Sequence, residues 1–285
     1  MAEITVALVK ALRERTGAGV MECKGALQEI GGDIEAAVEL MRKAGHAKAN
    51  KKASRITAEG LIVLRQAEGA VAMVEINCET DFVTKNENFR AFAAAVAEVA
   101  LHDAPADLDA LLALNMANGQ SVEQNRCEYI AKIGENVNIR RFARLATLTG
   151  VLGSYLHGIR IGVLVELHGG DANLAKDIAM HIAASRPLCI SSDQISADLI
   201  AKEKNIYAAQ AAASSKPPYI IEKIVEGRLR DYFEEITLLS QPFIKAEDKQ
   251  SVEKLLKAHQ AKVIRFERFE LGEGIEKKRI ISLLR

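Results

Sequence analysis

The chain has 285 residues, 49% of them hydrophobic and 27% charged, which is the composition of a globular protein able to bury the cores of two or three domains. Its formal net charge is zero, aromatic residues are few and tryptophan is absent. The chain therefore lacks the net positive charge and the many stacking side chains typical of nucleic-acid-binding proteins, and no direct nucleic-acid contact is expected. The four cysteines are widely separated and form no C-x-x-C pair, which argues against a disulfide framework and against a zinc site.

The first part of the chain has the pattern of three short helices. Apolar residues recur at helical spacing in three segments, which glycine-containing breaks separate at residues 16–19 and 31–32. Asp33 is a good N-cap for the third helix, and Gly45 marks the expected end of that helix. The pattern predicts a compact three-helix domain that is too small for catalysis and well suited to docking.

Residues 46–55 are rich in alanine and lysine and show little apolar periodicity. We interpret them as a basic linker that could be helical at its start. Their positive charge could attract a nucleic acid or an acidic protein surface, although a solvated linker accounts for it more simply. The first predicted domain, helices and linker together, therefore spans residues 1–55.

After this linker the chain has the pattern of an α+β fold. Apolar runs at residues 61–64 and 71–76 flank a polar turn and predict a β-hairpin. A helix with apolar residues at core spacing follows, and a second helical stretch covers about residues 106–133. Strand-like alternation then begins at Val137. These elements form the first predicted core subdomain, residues 56–140.

The same plan is repeated in the second half of the core. Residues 150–167 predict another β-hairpin, which turns at residues 157–158, and Asp171 caps an apolar helix after it. In both places a strand ends in a polar loop that leads into an apolar helix. We therefore infer a weak internal duplication and two related α+β subdomains with antiparallel sheets. The second subdomain is predicted to span residues 141–274.

An insertion interrupts the second subdomain at about residues 195–235. It consists of two helical runs broken at residues 216–218, each with a narrow apolar stripe on an otherwise polar helix. This pattern predicts a protruding antiparallel helical hairpin of coiled-coil type. Strand-like alternation returns at residues 263–271, and residues 275–285 are predicted to form a short C-terminal helical module.

The loop after the strand at residues 71–76 contains a phenylalanine outside any periodic apolar face. Phe82 follows Asp81 and precedes Val83 in a connection that should run over the surface. Its ring either fills the core of its own domain or is presented to a partner. Pattern alone favours the first alternative, because apolar loop residues are usually buried internally.

The sequence lacks the motifs of the common enzyme classes. It contains no phosphate-binding P-loop, no G-x-G-x-x-G after a strand, no H-E-x-x-H and no G-x-S-x-G. The chain is therefore expected to act by binding, without catalytic residues, metal or cofactor. Two alternatives stay open: an adaptor that binds a peptide or RNA through residues 1–55, and a hydrolase that uses His157 or His168. The absence of a charged-then-apolar leader and of a long apolar run leads us to expect a soluble cytoplasmic protein.

Five segments in chain order resemble one protein family. They are residues 12–27 (LRERTGAGVMECKGAL), 75–85 (EINCETDFVTK), 132–136 (KIGEN), 153–158 (GSYLHG) and 272–276 (GEGIE). Together they span nearly the whole chain, which is thus similar to bacterial elongation factor Ts. The resemblance implies a guanine-nucleotide exchange factor that binds the GTPase elongation factor Tu and promotes release of its GDP. It also implies that the N-terminal helical domain is UBA-like.

The resemblance further implies which residues contact the GTPase. In family members the Asp and Phe of the Thr-Asp-Phe-Val loop enter the GTPase near its magnesium and switch region. Here that role is implied for Thr80, Asp81, Phe82 and Val83, with Phe82 presented to the partner. Further contacts are implied for Val20, Met21, Lys24, Ile133, Gly134 and His157. The alternative for Lys24 is a solvated helix lysine, and for His157 a turn histidine without a partner. The helical hairpin is a candidate surface for a homodimer or a 2:2 complex.

Overall fold

The computed structural model describes residues 4–212, 217–247 and 250–276, without the side chains of His46 and Ala212. The chain divides into two compact units. The first contains the residues up to 66, residues 72–144 and those from 270 on, and the second contains residues 67–71 and 145–269. The finer domain boundaries expected from the sequence stay predictions.

Three helices open the first unit, as predicted. They are α1 (Val6–Thr16), α2 (Val20–Ile30) and α3 (Ile34–Lys52). Thr5 and Asp33 cap α1 and α3 by accepting hydrogen bonds from backbone N–H groups of the first turn. Gly17 and Gly31 follow α1 and α2 with φ of 65° and 72°, a left-handed conformation that ends a helix and that glycine adopts without strain. The small core between the helices is formed by Val9, Leu12, Cys23, Ala26, Leu27 and Ala37.

The first sheet and its helices follow α3. The elements are β1 (Glu59–Ala67), β2 (Ala70–Cys78), α4 (Asp81–Thr84), α5 (Glu87–Asp103), α6 (Leu108–Ala113), α7 (Val122–Ile133) and β3 (Val137–Ala146). The strand order is β1-β2-β3, and the central strand β2 is buried along its whole length. Tyr129 of α7 stacks on Phe92 of α5 with ring centroids 5.6 Å apart, so these two helices share an aromatic contact.

The expected end of the third helix at Gly45 is wrong, because α3 continues through Gly45 and ends only at Lys52. The start of the segment interpreted as a linker is therefore helical, as that interpretation allowed. The second half of α3 packs on α7, and a Cβ at Gly45 would be in ordinary van der Waals contact with α7, 3.8 Å from the Cβ of Ala131. Ala49, one turn later, is buried. Packing on α7 therefore stabilises the helix beyond Gly45, despite the low helix propensity of glycine.

The second unit repeats the plan of the first. Its elements are β4 (Val151–His157), β5 (Ile161–His168), α8 (Ala172–Ser185), a short 3-10 turn (Ser192–Gln194), α9 (Ala197–Ala212), α10 (Pro218–Ile236), α11 (Val252–Ala258) and β6 (Lys262–Glu270). The strand order is β4-β5-β6, and β4 pairs antiparallel with β5. Helix α8 lies so close to this hairpin that a Cβ at Gly153 would be 2.4 Å from the backbone of Ala175, which only glycine permits.

The inferred duplication is confirmed at the level of topology. Each sheet consists of a hairpin and a third strand that comes much later in the chain, and a long helix, α5 or α8, follows each hairpin. Buried side chains of β5 and α8 form the core of the second unit together with side chains of α11 and β6. The α+β fold class predicted from the sequence is therefore correct.

The predicted helical hairpin is formed by α9 and α10, which have a small apolar cluster of their own. Ala211 on α9 and Val225 and Leu229 on α10 are its buried members. The predicted C-terminal helix falls on residues 277–285, which lie outside the described residues. Ile275 and Glu276, just before them, have no regular secondary structure.

A buried histidine ties α8 to the segment after α10. His181 Nε2 lies 3.0 Å from Gln241 Oε1, and His181 Nδ1 accepts a hydrogen bond from the backbone N–H of Ile244 at 3.3 Å. An accepting Nδ1 places the ring proton on Nε2, so the ring is neutral in the folded protein. Burial lowers the pKa of His181, and the hydrogen bond to Gln241 opposes this only in part.

We expect acid to destabilise the second unit through His181. Its pKa in the folded protein lies below the ordinary value of 6.5, so the unfolded chain is protonated first and stability falls as the pH drops from 6.5 toward the folded pKa. The loss is at most about 1.4 kcal/mol per pH unit. The free energy of unfolding is measured with urea at about pH 7 and about pH 5.5. It should fall less between these two pH values for His181→Gln than for the wild type.

The exposed His168 provides the matched control for this experiment. His168→Gln should retain the pH dependence of the wild type, because it leaves the buried contacts of His181 with Gln241 and Ile244 in place. If His181→Gln and the wild type lost the same stability on acidification, His181 would not be the group responsible.

Candidate partner-binding site

The loop after β2 folds into the single helical turn α4, with Thr80 as its N-cap. We call residues 80–84 the Phe82 turn. Phe82 is 76% exposed, whereas its neighbour Val83 is buried. Adjacent residues on a helix point about 100° apart, so one apolar side chain fixes the turn to its own domain and the other is left outside. The alternative that Phe82 fills the core of its own domain is therefore wrong.

Buried side chains and hydrogen bonds fix the C-terminal end of the turn. The side chain of Val83, for which the sequence predicted a partner contact, lies inside the first unit and supports the turn from below. Thr84 is also buried, and its hydroxyl donates to the carbonyl of Asp81 at 2.6 Å. Arg90 of α5 donates from Nε to the carbonyl of Thr84 at 2.8 Å, which ties the turn to the next helix.

Two carboxylates join the Phe82 turn to the loop after α7. Glu135 accepts hydrogen bonds from the backbone N–H of Thr80 at 3.0 Å and from its hydroxyl at 2.7 Å. In the opposite direction, Glu79 accepts a hydrogen bond from the backbone N–H of Asn136 at 2.6 Å. We call this reciprocal pair of interactions the carboxylate clamp.

The clamp brings two further predicted contact residues to the Phe82 turn. Ile133 and Gly134 immediately precede Glu135 in the chain. Gly134 is exposed and ends α7 in the left-handed conformation, with φ of 82°, and Ile133 is half-buried. The residues predicted from the 75–85 and 132–136 segments are therefore neighbours in the structure.

Lys85 lies beside both exposed side chains of the turn. Its Nζ is 3.3 Å from Asp81 Oδ2 and 5.5 Å from the centroid of the Phe82 ring. An exposed ion pair and an exposed cation–π contact each contribute little to stability. Together they favour one arrangement of Asp81 and Phe82 in the free protein. Sequence reasoning did not identify Lys85, although its spacing of four residues from Asp81 is a recognisable signal for a helical ion pair.

Val20, Met21 and Lys24 lie together at the start of α2. All three side chains are exposed. Met21 and Lys24 are three residues apart and so share one side of the helix. Two exposed apolar side chains at a helix start form a small apolar surface that a partner could cover.

His157 belongs to the second unit, where it ends β4. The side chain is exposed, and its Nδ1 lies 3.4 Å from the hydroxyl of Tyr155. This contact within the chain does not decide between a turn histidine without a partner and a residue that contacts the GTPase. A contact with a partner stays a prediction.

The thiol of Cys78, at the end of β2, is hydrogen-bonded to the start of the turn. Burial raises the pKa of the Cys78 thiol to about 12, so this thiol stays protonated, and its Sγ donates to the carbonyl of Thr80 at 3.1 Å. Within the described ranges, no group of three or more His, Cys, Asp and Glu side chains could hold a metal ion. Among the described helices, none is both long and apolar enough to cross a membrane. What the turn presents is an exposed ring beside a carboxylate.

Comparison with known proteins places the chain in a family. The sequence profile described as Elongation factor TS matches residues 79–273. The chain belongs to the elongation factor Ts family. It is 62% identical over 278 residues to Elongation factor Ts of Thioalkalivibrio sulfidiphilus, with 96% of this chain and 94% of that protein covered. The proteins of the same name from Methylococcus capsulatus and Alkalilimnicola ehrlichii are 60% and 54% identical over 277 residues, with the same coverage.

Membership of the elongation factor Ts family makes this protein a translation elongation factor. The matched region begins at Glu79 of the carboxylate clamp and includes the Phe82 turn, Glu135 and His157. The N-terminal helices precede that region, but the alignment with the relatives covers nearly the whole chain. Sequence reasoning did not identify Glu79 or Glu135 as site residues, although both stand in segments that carry the family resemblance.

Proposed function

We propose that this protein binds the GTPase elongation factor Tu in the cytoplasm and promotes release of GDP, so that GTP can rebind. The observation that carries the proposal is the exposed ring of Phe82 on an anchored turn, next to the carboxylate of Asp81. An apolar ring left in water is unfavourable for the isolated protein, and a partner that buries it gains free energy.

Exchange by this route is a linkage effect that needs no covalent step. The factor must bind the nucleotide-free GTPase more tightly than the GDP-bound form, and it then weakens GDP binding by the same factor. A ten-thousandfold effect requires about 5.5 kcal/mol of differential interaction. Full burial of one phenylalanine side chain supplies roughly 2–3 kcal/mol. The remainder is assigned to the other proposed contacts, Val20, Met21, Lys24, Ile133, Gly134 and His157.

Phe82 is proposed to enter an apolar seam of the GTPase and to displace the elements that hold magnesium and phosphate. Asp81 beside it would disturb the water and hydrogen-bond shell of that magnesium ion, which tolerates little departure from octahedral geometry. Asp81 must first leave Lys85, and this exposed ion pair is easily broken.

Replacing Asp81 with alanine should slow GDP release by roughly three- to tenfold. This is a smaller loss than the one expected on replacing Phe82. The effect should shrink when magnesium is removed by chelation, because the carboxylate is proposed to act on the metal shell. Release of fluorescent GDP is measured with magnesium and with a chelator. Glu87→Ala, which removes an exposed carboxylate from the start of α5, is the control. An Asp81→Ala deficit that persists in full without magnesium would exclude the metal shell as the target.

The packing of α3 on α7 bears on the alternative of an adaptor formed by residues 1–55. The N-terminal helices and the first sheet belong to one compact unit, and α3 reaches well past the predicted end of the helical domain. This arrangement argues against an independent peptide- or RNA-binding module. It favours a docking surface that acts together with the Phe82 turn.

The proposed function is tested by release of fluorescent GDP from purified elongation factor Tu. The protein is added in amounts well below that of the GTPase, with unlabelled nucleotide in excess. We expect all labelled GDP to be released, at a rate proportional to the concentration of the factor, because each molecule acts repeatedly. An unchanged release rate would reject the proposal and would leave the hydrolase and adaptor alternatives.

A further inference from the structure

Each polar group of Thr80, the first residue of the Phe82 turn, has a hydrogen-bond partner. Its N–H and its hydroxyl donate to Glu135 at 3.0 and 2.7 Å, and its carbonyl accepts from the thiol of Cys78 at 3.1 Å. Hydrogen bonds to a carboxylate are stronger than those between neutral groups. The residue that begins the turn therefore cannot rotate without breaking two charge-assisted bonds.

Glu135 is itself held in place by its neighbours. Asn136, which follows it, is buried and donates its backbone N–H to Glu79 at 2.6 Å and its side-chain amide to the carbonyl of Arg55 at 3.0 Å. The guanidinium of Arg55 in turn pairs with Glu79 at 3.3 Å. The chain segments after α3, after β2 and after α7 thus meet in one hydrogen-bonded junction, and Glu135 projects from it to Thr80.

We propose that Glu135 is a positioning residue for nucleotide exchange: by holding Thr80, it fixes the direction in which Phe82 leaves the fold before the GTPase binds. The inference rests on the proposed exchange function and deepens it. Helix α4 has only four residues, and a helix of that length is not stable by itself, so its direction depends on outside support. A turn that is already ordered spares the complex the entropy loss of ordering it at the interface.

The positioning role can be measured in the free protein. Because the chain contains no tryptophan, Phe82→Trp introduces a single indole at the turn, whose fluorescence anisotropy reports motion on the nanosecond timescale. We expect Glu135→Ala to lower this anisotropy. Glu135→Gln should restore it, since an amide can accept from the Thr80 N–H and donate to the Thr80 hydroxyl. Equal anisotropy with glutamate and with alanine at position 135 would overturn the proposal.

A reporter at a second position controls for general loosening of the protein. Leu148→Trp places the indole at a fully exposed position of the second unit. Its anisotropy should be the same with and without Glu135→Ala, because a fully exposed side chain of the second unit reports general loosening and not the bonds of Thr80. A decrease at both reporter positions would mean that Glu135 stabilises the whole fold, which would also overturn a specific positioning role.

The exchange assay then tests whether the order of the turn matters for function. Glu135→Ala should slow GDP release about tenfold and Thr80→Val about threefold. The double variant should be no slower than Glu135→Ala alone, because both changes remove the same hydroxyl bond. Additive losses would show that Glu135 acts elsewhere. Failure of the wild type to release GDP would reject the proposed function, and the anisotropy, measured without the GTPase, distinguishes that failure from failure of the clamp.

Discussion

Replacing Phe82 with alanine is expected to slow factor-dependent GDP release from elongation factor Tu by about 30- to 150-fold. Full burial of a phenylalanine side chain contributes roughly 2–3 kcal/mol, and about 1.4 kcal/mol changes a rate tenfold. The ring is 76% exposed in the free protein, so most of this free energy is still available to the complex. Because the ring makes few contacts with its own fold, the variant's stability should stay within about 0.5 kcal/mol of the wild type.

The measurement is stopped-flow release of fluorescent GDP at a saturating concentration of the factor. Leu148→Ala is the matched control, because it removes a fully exposed apolar side chain from the second unit and should leave the rate unchanged. Urea unfolding of both variants verifies that they are folded. A folded Phe82→Ala protein with the wild-type rate would show that the ring does not act as a wedge.

The largest loss of stability is expected at Glu75, a fully buried carboxylate in β2. It pairs with Arg140 at 3.1 Å and Arg141 at 2.7 Å, and it accepts a hydrogen bond from the backbone N–H of Gly272 at 2.9 Å. Burial alone would raise the pKa of Glu75, but the Gly272 N–H and the Arg141 guanidinium lower it more. The carboxylate is therefore ionised at neutral pH.

Glu75→Ala should lower the free energy of unfolding by about 3–5 kcal/mol, because it leaves partly buried guanidinium groups without their partner. The folded pKa lies below 4.5, so the advantage of the wild type over Glu75→Gln is present above pH 4.5 and is lost as the pH falls through the folded pKa. Urea unfolding at about pH 7 and about pH 3.5 measures both effects. Glu68→Gln, in the exposed turn between β1 and β2, is the control. A loss for Glu75→Ala no larger than for this control would contradict the account.

Much of the fold could be predicted because apolar residues are distributed along its strands and helices in the patterns typical of each element. The hairpins β1-β2 and β4-β5 are apolar runs around polar turns, and the helices after them carry apolar residues at helical spacing. The length of α3 could not be predicted, since Gly45 is a helix-ending signal when only neighbouring residues are considered. Residue 45 is buried where α3 packs on α7, near Ala131, which comes 86 positions later in the chain and so gives no local signal.

The candidate site was predictable only in part. The resemblance pointed to residues 80–83, but pattern alone could not decide which of the adjacent apolar residues Phe82 and Val83 faces outward. That choice depends on how α4 is oriented, and its orientation depends on tertiary contacts, among them the hydrogen bonds from Thr80 to Glu135, which is 55 positions away. A single sequence contains no local signal for a hydrogen bond at that separation.

Equilibrium affinities test the central claim most directly. The dissociation constant of the protein for elongation factor Tu is measured without nucleotide and with saturating GDP, and that of GDP is measured with and without saturating factor. We predict that the nucleotide-free GTPase binds more tightly, and that the factor weakens GDP binding by the same ratio. Equal affinity for the two forms would contradict the account, because a protein that does not distinguish them cannot promote release.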